Sequence, residues 1–134
     1  MGTSSFALPI LKRLIKEKYN IVAVYSQPPR RAGRGKKLQD GEIASYAKKM
    51  GLTYFSPENF MKLKDVEIFN NLKADFAVVV SYGIILPQVI LDAPKRACLN
   101  VHASLLPRWR GAAPIQRALL SNDVETGISM IKME

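Results

Sequence analysis

The sequence predicts an α/β domain built on a mainly parallel sheet with right-handed crossovers. Three observations carry that expectation. Strand-like and helix-like segments alternate along the chain. Phe76-Ala77-Val78-Val79-Val80 is a continuous apolar run of strand length, the pattern of a parallel strand covered on both faces. Residues 6–19 place Phe6, Leu8, Ile10, Leu11, Leu14 and Ile15 on one helical stripe and Lys12, Arg13, Lys16, Glu17 and Lys18 on a wet face.

The first helix therefore spans Phe6 to Tyr19, with Thr3, Ser4 or Ser5 as its cap and Asn20 as its end. Ile21-Val22-Ala23-Val24-Tyr25 is rich in β-branched residues and reads as a strand. Residues 27–40 are punctuated by Pro and Gly, have no periodicity, and read as a long surface loop. Glu42 to Met50 is a short helix closed by Gly51, Thr53-Tyr54-Phe55 a short strand, and Asn59 to Leu72 a second amphipathic helix. After the 76–80 strand come a short helix over Leu86–Leu91 and a strand from Ala97 to Val101. Pro114 suits the first turn of a helix reaching Leu120, Ser121-Asn122-Asp123 reads as the turn after it, and a last strand begins at Gly127.

The chain has 134 residues, the size of one domain, and 48% hydrophobic content supports a real core. No apolar run reaches the ~20 residues of a membrane span. A single cysteine, Cys98, excludes an internal disulfide framework, fits a reducing cytoplasm, and reads as packing at a buried strand start. The net charge is +9, with 20 Lys and Arg against 11 Asp and Glu. Arg30, Arg31, Arg34, Lys36 and Lys37 fall within eight residues with no carboxylate before Asp40, so a polyanionic partner is one reading and a solvated basic loop the other. Gly35-Lys36 lacks the spacing and the following Ser or Thr of a phosphate-cradling P-loop. One His and one Cys supply no metal cage.

Side chains alternate along a strand, so Asn100 and His102 project from the same face. A carboxamide that donates a hydrogen bond beside an imidazole that moves a proton near neutral pH suits acyl transfer through an oxyanion. Each residue also has a structural use, His in a polar network and Asn as a turn former. Beyond the pair lies a loop holding Ser104-Leu105-Leu106-Pro107 and Gly111, where a ligand can approach. Trp109 in that loop either packs on substrate or closes the loop.

Asn-x-His followed by Ser-Leu-Leu-Pro and a Gly resembles the signature of the folate-dependent formyltransferases, which move a formyl group from 10-formyltetrahydrofolate to an amine. The resemblance extends to the branch acting on initiator methionyl-tRNA. Residues 27–38 are similar to its tRNA-facing loop and Ser81–Pro87 to its folate-pocket segment. Arg108–Gln116 and Glu125-Thr126-Gly127 continue the match. The resemblance implies a Rossmann-like formyltransferase fold, with residues 1–134 forming part of an N-terminal catalytic domain. It implies 10-formyltetrahydrofolate as cosubstrate without a metal, methionyl-tRNA as acceptor, and a cytoplasmic role in translation initiation. No membrane and no obligate protein partner is expected.

Residue by residue, Asn100 would hold the oxyanion and His102 the proton. Tyr82, Gly83, Ile84, Ile85 and Leu86 would hold the pterin by backbone groups and apolar contact, unless they are only a buried strand end. Ser104, Leu105, Leu106 and Pro107 would wall folate from acceptor, and Arg30, Arg31, Arg34, Lys36 and Lys37 would meet tRNA.

The resemblance also implies gaps. Met1-Gly2-Thr3 aligns with the turn after the family's central first strand, which is expected to have no counterpart. The family's catalytic Asp and C-terminal β-barrel are expected beyond Glu134. Neither Asp123, in a turn, nor Glu125, at a solvated strand edge, is expected to replace that Asp. This polypeptide alone is accordingly expected to formylate slowly. The alternatives are an inactive remnant with residual tRNA or folate binding, and an enzyme for a nucleotide or sugar-nucleotide amine.

Overall fold

A computed structural model describes residues 1–32 and 37–134 and carries all seven strands and five α-helices discussed below. In chain order these are α1 (Leu8–Lys16), β1 (Val24–Tyr25), β2 (Arg30–Ala32), β3 (Lys37–Gln39), α2 (Glu42–Lys49) and β4 (Tyr54–Phe55). Then come α3 (Leu63–Asn71), β5 (Phe76–Val79), α4 (Gln88–Leu91), β6 (Ala97–His102), α5 (Pro114–Leu120) and β7 (Ser129–Met133). β1 pairs β4 in parallel, β5 pairs β6 in parallel, and β7 closes the far edge antiparallel to β6.

Residues 1–3 join these two groups of strands. The Met1 amine donates to Val78 O at 2.8 Å, Val80 N donates to Met1 O at 2.9 Å, and Gly2 N donates to Tyr25 O at 2.8 Å. The spatial order is thus β4, β1, residues 1–3, β5, β6, β7. In the place of the first strand, expected to have no counterpart, there is no regular strand, only Met1–Thr3, which bond to both sides and bridge Val80 through Gly2. Gly2 is required at this crossing: a Cβ there would lie 2.7 Å from Ala7 Cβ and 2.9 Å from Val80 O.

Strand alternation splits the core into two layers. Tyr25, Ala77, Val79 and Cys98 face Phe60, Phe69 and Ile90, under α3 and α4. Val24, Val80 and Val101 face Ala7, Leu11, Ile43 and Ala47, under α1 and α2. Helices on both faces of a mainly parallel sheet make the Rossmann-like three-layer arrangement.

Several boundaries depart from the periodicity. The first helix opens with a 3-10 turn at Ser5–Ala7 and stops at Lys16, not Tyr19. Lys18 takes a left-handed φ of 60°, so Tyr19 N reaches Leu14 O and Lys18 N reaches Ile15 O, which closes the helix as a Schellman motif. Of the three candidates Ser4 holds the N-cap position, its carbonyl accepting from Ala7 N at 3.0 Å with no capping bond from its side chain, and Thr3 Oγ1 instead donates to Tyr82 O at 2.8 Å. Gly51 does close α2 in the same motif, as its sequence indicates.

The third helix begins at Leu63, not Asn59, because Asn59 Oδ1 accepts from Met61 N at 3.0 Å and holds the chain in an Asx turn. The strand predicted over 21–25 is reduced to Val24–Tyr25, since residues 1–3 reach only as far as Tyr25. Phe76 is 48% exposed, so the apolar run is covered on both faces only from Ala77 onward. The predicted loop 27–40 contains an antiparallel hairpin, with Arg30 opposite Gln39 and Arg31 opposite Leu38.

No helix among the described residues is long and apolar enough to cross a membrane. A cavity of about 530 Å³ lies between α1, residues 21–24 and the start of β5, where the ladder from Met1 stops. Its walls are strand edges and the apolar face of α1, with Asn20, Lys73, Asp75 and Lys95 also in the lining.

Candidate functional site

In a parallel sheet the loops that leave the carboxyl ends of the strands gather on one rim, the usual place for a ligand. Here that rim holds Thr3, Ser26 and Gln27 after β1, Ser81 to Leu86 after β5, and the loop from Ala103 after β6. Thr3 ties the first two together: its hydroxyl donates to Tyr82 O and accepts from Gln27 N at 3.3 Å.

Asn100 and His102 occupy the last turn of pleat in β6. Asn100 pairs with Val79 on one side and Ile131 on the other, and His102 is opposite Ser129. Being two residues apart on a strand flanked by neighbours, they share a face and are both half-buried. Val101 between them turns the other way into the core. The arrangement expected of these two residues is therefore present, and the strand runs one residue further than predicted, so that His102 ends it.

His102 Nε2 lies 2.9 Å from Trp109 O. A carbonyl oxygen can only accept, so Nε2 carries the hydrogen. In the neutral ring Nδ1 is then the nitrogen with a free lone pair, able to take a proton.

The loop after β6 is held at several points. Ser104 is fully buried; its hydroxyl donates to Arg108 O at 2.7 Å, and its own carbonyl accepts from Ser129 Oγ at 2.8 Å. Leu106 N donates to the same Ser129 Oγ at 3.1 Å. Ser104 thus acts as an internal tie, with Leu105 (46% exposed) and Pro107 presented outward. Leu105 also lies over Gly127, where a Cβ would meet its Cδ2 at 2.6 Å.

Trp109 takes a left-handed φ of 58° and closes the loop: its indole Nε1 donates to Asp123 Oδ2 at 2.6 Å. Arg108 donates to both oxygens of the same carboxylate, Nε to Oδ2 at 2.8 Å and Nη2 to Oδ1 at 2.5 Å, while its guanidinium stacks over the indole at 4.3 Å. These donors, Arg108 first and Trp109 second, hold the Asp123 carboxyl down at about 2.

The segment read as the pterin cradle divides. Tyr82 and Leu86 bury their side chains in the core beside Val79 and Ile90, so only their backbone is offered to a ligand. Gly83 has φ +75°, and a Cβ there would come within 2.4 Å of Gln27 Nε2. Ile85 is 93% exposed and Ile84 half-buried, an apolar pair on the rim. Of the basic cluster, Arg30, Arg31 and Lys37 stand exposed on the hairpin; Arg34 and Lys36 lie outside the described residues. Among the described residues no group of His, Cys, Asp and Glu could hold a metal ion.

Sequence reading missed Ser129, Thr3 and the structural use of Asp123. No local pattern marks the first two. Asp123 follows Asn122, which at φ 50° ends α5 in a Schellman motif and fixes where the carboxylate points.

The sequence profile described as Formyl transferase matches residues 1–134. Curated relatives named methionyl-tRNA formyltransferase are 51% identical over 134 residues in Jannaschia sp. (strain CCS1) and 52% in Paramagnetospirillum magneticum. One from Hahella chejuensis is 53% identical over 133 residues. The first two matches cover all of this chain and 44% of the relative, so the chain spans under half of their length. Among solved structures, the phosphoribosylglycinamide formyltransferase from Bacillus halodurans superposes with a TM-score of 0.76 at 17% identity, over 99% of this chain and 69% of that one. A glycinamide ribonucleotide transformylase from Geobacillus kaustophilus gives 0.74 at 16%, over 99% of this chain and 71% of the other. At such identities the likeness bears on the fold alone.

Proposed function

Because the chain belongs to the formyl transferase family, we propose that residues 1–134 form part of the catalytic domain of a cytoplasmic methionyl-tRNA formyltransferase. The donor is 10-formyltetrahydrofolate and the acceptor the α-amine of initiator methionyl-tRNA. The observation that carries this reading is the pairing of Asn100 and His102 on one face at the carboxyl end of β6, with Nε2 of His102 occupied by Trp109 O.

The amine nitrogen attacks the formyl carbon and a C–N bond forms, leaving the formyl oxygen negative. The Asn100 carboxamide donates to that oxygen, and donors aimed at developing charge are the largest single source of such catalysis. Nδ1 of His102 takes the proton released by the amine. The bond from the formyl carbon to folate nitrogen then breaks, and the proton passes to the departing nitrogen, giving tetrahydrofolate and formylmethionyl-tRNA. Ile84, Ile85 and the backbone of Tyr82, Gly83 and Leu86 are assigned to the pterin, and Leu105, Leu106 and Pro107 to the wall between donor and acceptor. Exposed Arg30, Arg31 and Lys37 supply cations for tRNA phosphates. An acceptor as small as a nucleotide amine has no use for such a hairpin.

The test is transfer of labelled formyl from 10-formyltetrahydrofolate to methionyl-tRNA by the protein purified as its own cell makes it. Asn100→Ala and His102→Ala should each lower the rate by ~10²-fold or more. Undiminished transfer by both variants would remove these residues from the chemistry.

A further inference from the structure

We propose that Asp123 is a positioning residue that sets which nitrogen of His102 is free to take a proton, by clamping Trp109. His102 Nε2 has its hydrogen-bond partner in the backbone carbonyl of Trp109, and that carbonyl is where it is only while Trp109 stays at φ 58°. An aromatic residue does not choose the left-handed region: its Cβ crowds the backbone there, and such positions persist only when the surroundings enforce them.

The enforcement comes from one carboxylate. Asp123 Oδ2 accepts from the Trp109 indole at 2.6 Å and from Arg108 Nε at 2.8 Å, and Oδ1 accepts from Arg108 Nη2. Asp123 is itself anchored: its backbone N donates to Ala118 O at 3.0 Å at the closed end of α5, and its side chain is only 11% exposed. From the other side, Ser104 Oγ fixes the carbonyl of Arg108 at 2.7 Å. The two consecutive carbonyls of the loop are thus oriented, one by Ser104 and the next through the Asp123 clamp. Because its two donors keep Asp123 ionised well below neutral pH, the clamp is intact at neutral pH and above.

The chemical consequence rests on the formyl-transfer reading: Nδ1 becomes the nitrogen that accepts the amine's proton. The physical claim does not, and it can be measured without substrate. The chain contains one histidine, so the nitrogen resonances of its imidazole need no assignment. In the ¹⁵N-labelled 134-residue chain at pH 8, long-range ¹H–¹⁵N spectra report the ratio of the Nε2–H to the Nδ1–H tautomer.

In the unsubstituted chain one neutral hydrogen bond should bias that ratio toward Nε2–H by about fivefold relative to a solvent-exposed histidine. Asp123→Ala should return the ratio to the solvent-exposed value while the amide spectrum of β5 and β6 is kept. Asp123→Asn, which still accepts from the indole, should restore part of the bias. An unsubstituted chain at the solvent-exposed ratio overturns the proposal, as does an Asp123→Ala chain that keeps the full bias. Trp109→Phe removes the indole donor and decides the matter if Asp123→Ala does not fold: loss of bias supports the clamp, and retained bias overturns it. A failed formylation assay would count against the enzyme reading and leave this ratio unaffected.

Discussion

Tyr82 sits at the carboxyl end of β5, among the residues assigned by resemblance to the pterin, yet its ring is 2% exposed and packs in the layer under α3 and α4. Among the described residues its hydroxyl finds no hydrogen-bond partner. Burial pushes the phenol up from its ordinary value, with Tyr25, Tyr54 and Asp65 adding to the effect, so the group stays neutral in any ordinary buffer. A buried hydroxyl without a partner costs about 1–3 kcal/mol. Tyr82→Phe removes that cost and gives up only the dispersion contacts of one oxygen, each worth ~0.1–0.2 kcal/mol. The net expectation is a gain of about 1–2 kcal/mol. At ~2.1 cal/mol/K per residue, a 134-residue chain unfolds with an entropy of roughly 0.28 kcal/mol/K, so each kcal/mol moves Tm by about 3.5 °C. Differential scanning calorimetry should therefore find Tyr82→Phe melting about 4–7 °C higher, with the affinity for 10-formyltetrahydrofolate unchanged. A fall in Tm of several degrees would mean that the hydroxyl has a partner. A loss of folate affinity would return the Tyr82 side chain to the pocket.

Ile90 is fully buried against Tyr82, Leu86 and Cys98, and Ile90→Ala should cost about 2–5 kcal/mol, read as a lowered urea midpoint; a cost under 1 kcal/mol would mean that this layer is not packed as described. The Asp123 carboxyl is held at about 2 in the folded chain against ~3.9 unfolded, so its contribution is complete above pH 4 and lost as pH falls toward 2. Urea midpoints for the unsubstituted chain and for Asp123→Asn should accordingly differ above pH 4 and converge as the pH is lowered toward 2, and a constant gap would refute the ion pair as its source. If the hairpin meets tRNA phosphates, replacing Arg30, Arg31 and Lys37 with Ala should flatten the slope of log K against log salt by up to about 2.7, measured by filter binding, and an unchanged slope would remove these residues from the interface.

What could be read from the sequence is what rests on neighbours along the chain. Alternating segments and the 76–80 run indicate the sheet, and the i, i+2 relation in β6 puts Asn100 and His102 on one face from sequence alone. Helix ends were legible where Gly51 marks one and where Ser121-Asn122-Asp123 reads as a turn, and not where Lys18 adopts the left-handed region, since nothing in a lysine side chain announces it. The hairpin β2–β3 escaped notice because Arg30, Arg31 and Lys37 mask any alternation of apolar residues.

The site divides along the same line. The groups proposed for the chemistry are adjacent in sequence, whereas those that fix their geometry are not: Asp123 lies 14 residues from Trp109 and Ser129 lies 25 from Ser104. A turn aspartate with no regular neighbour looks solvated from sequence alone, and only the fold of α5 back toward the loop turns it into an anchor. A non-Gly residue held at positive φ beside a proton-handling imidazole has to be stabilised by something remote, because local preference runs against it. Trp109 at φ 58° with its carbonyl on His102 is such a residue, and following its indole outward is what leads to Asp123.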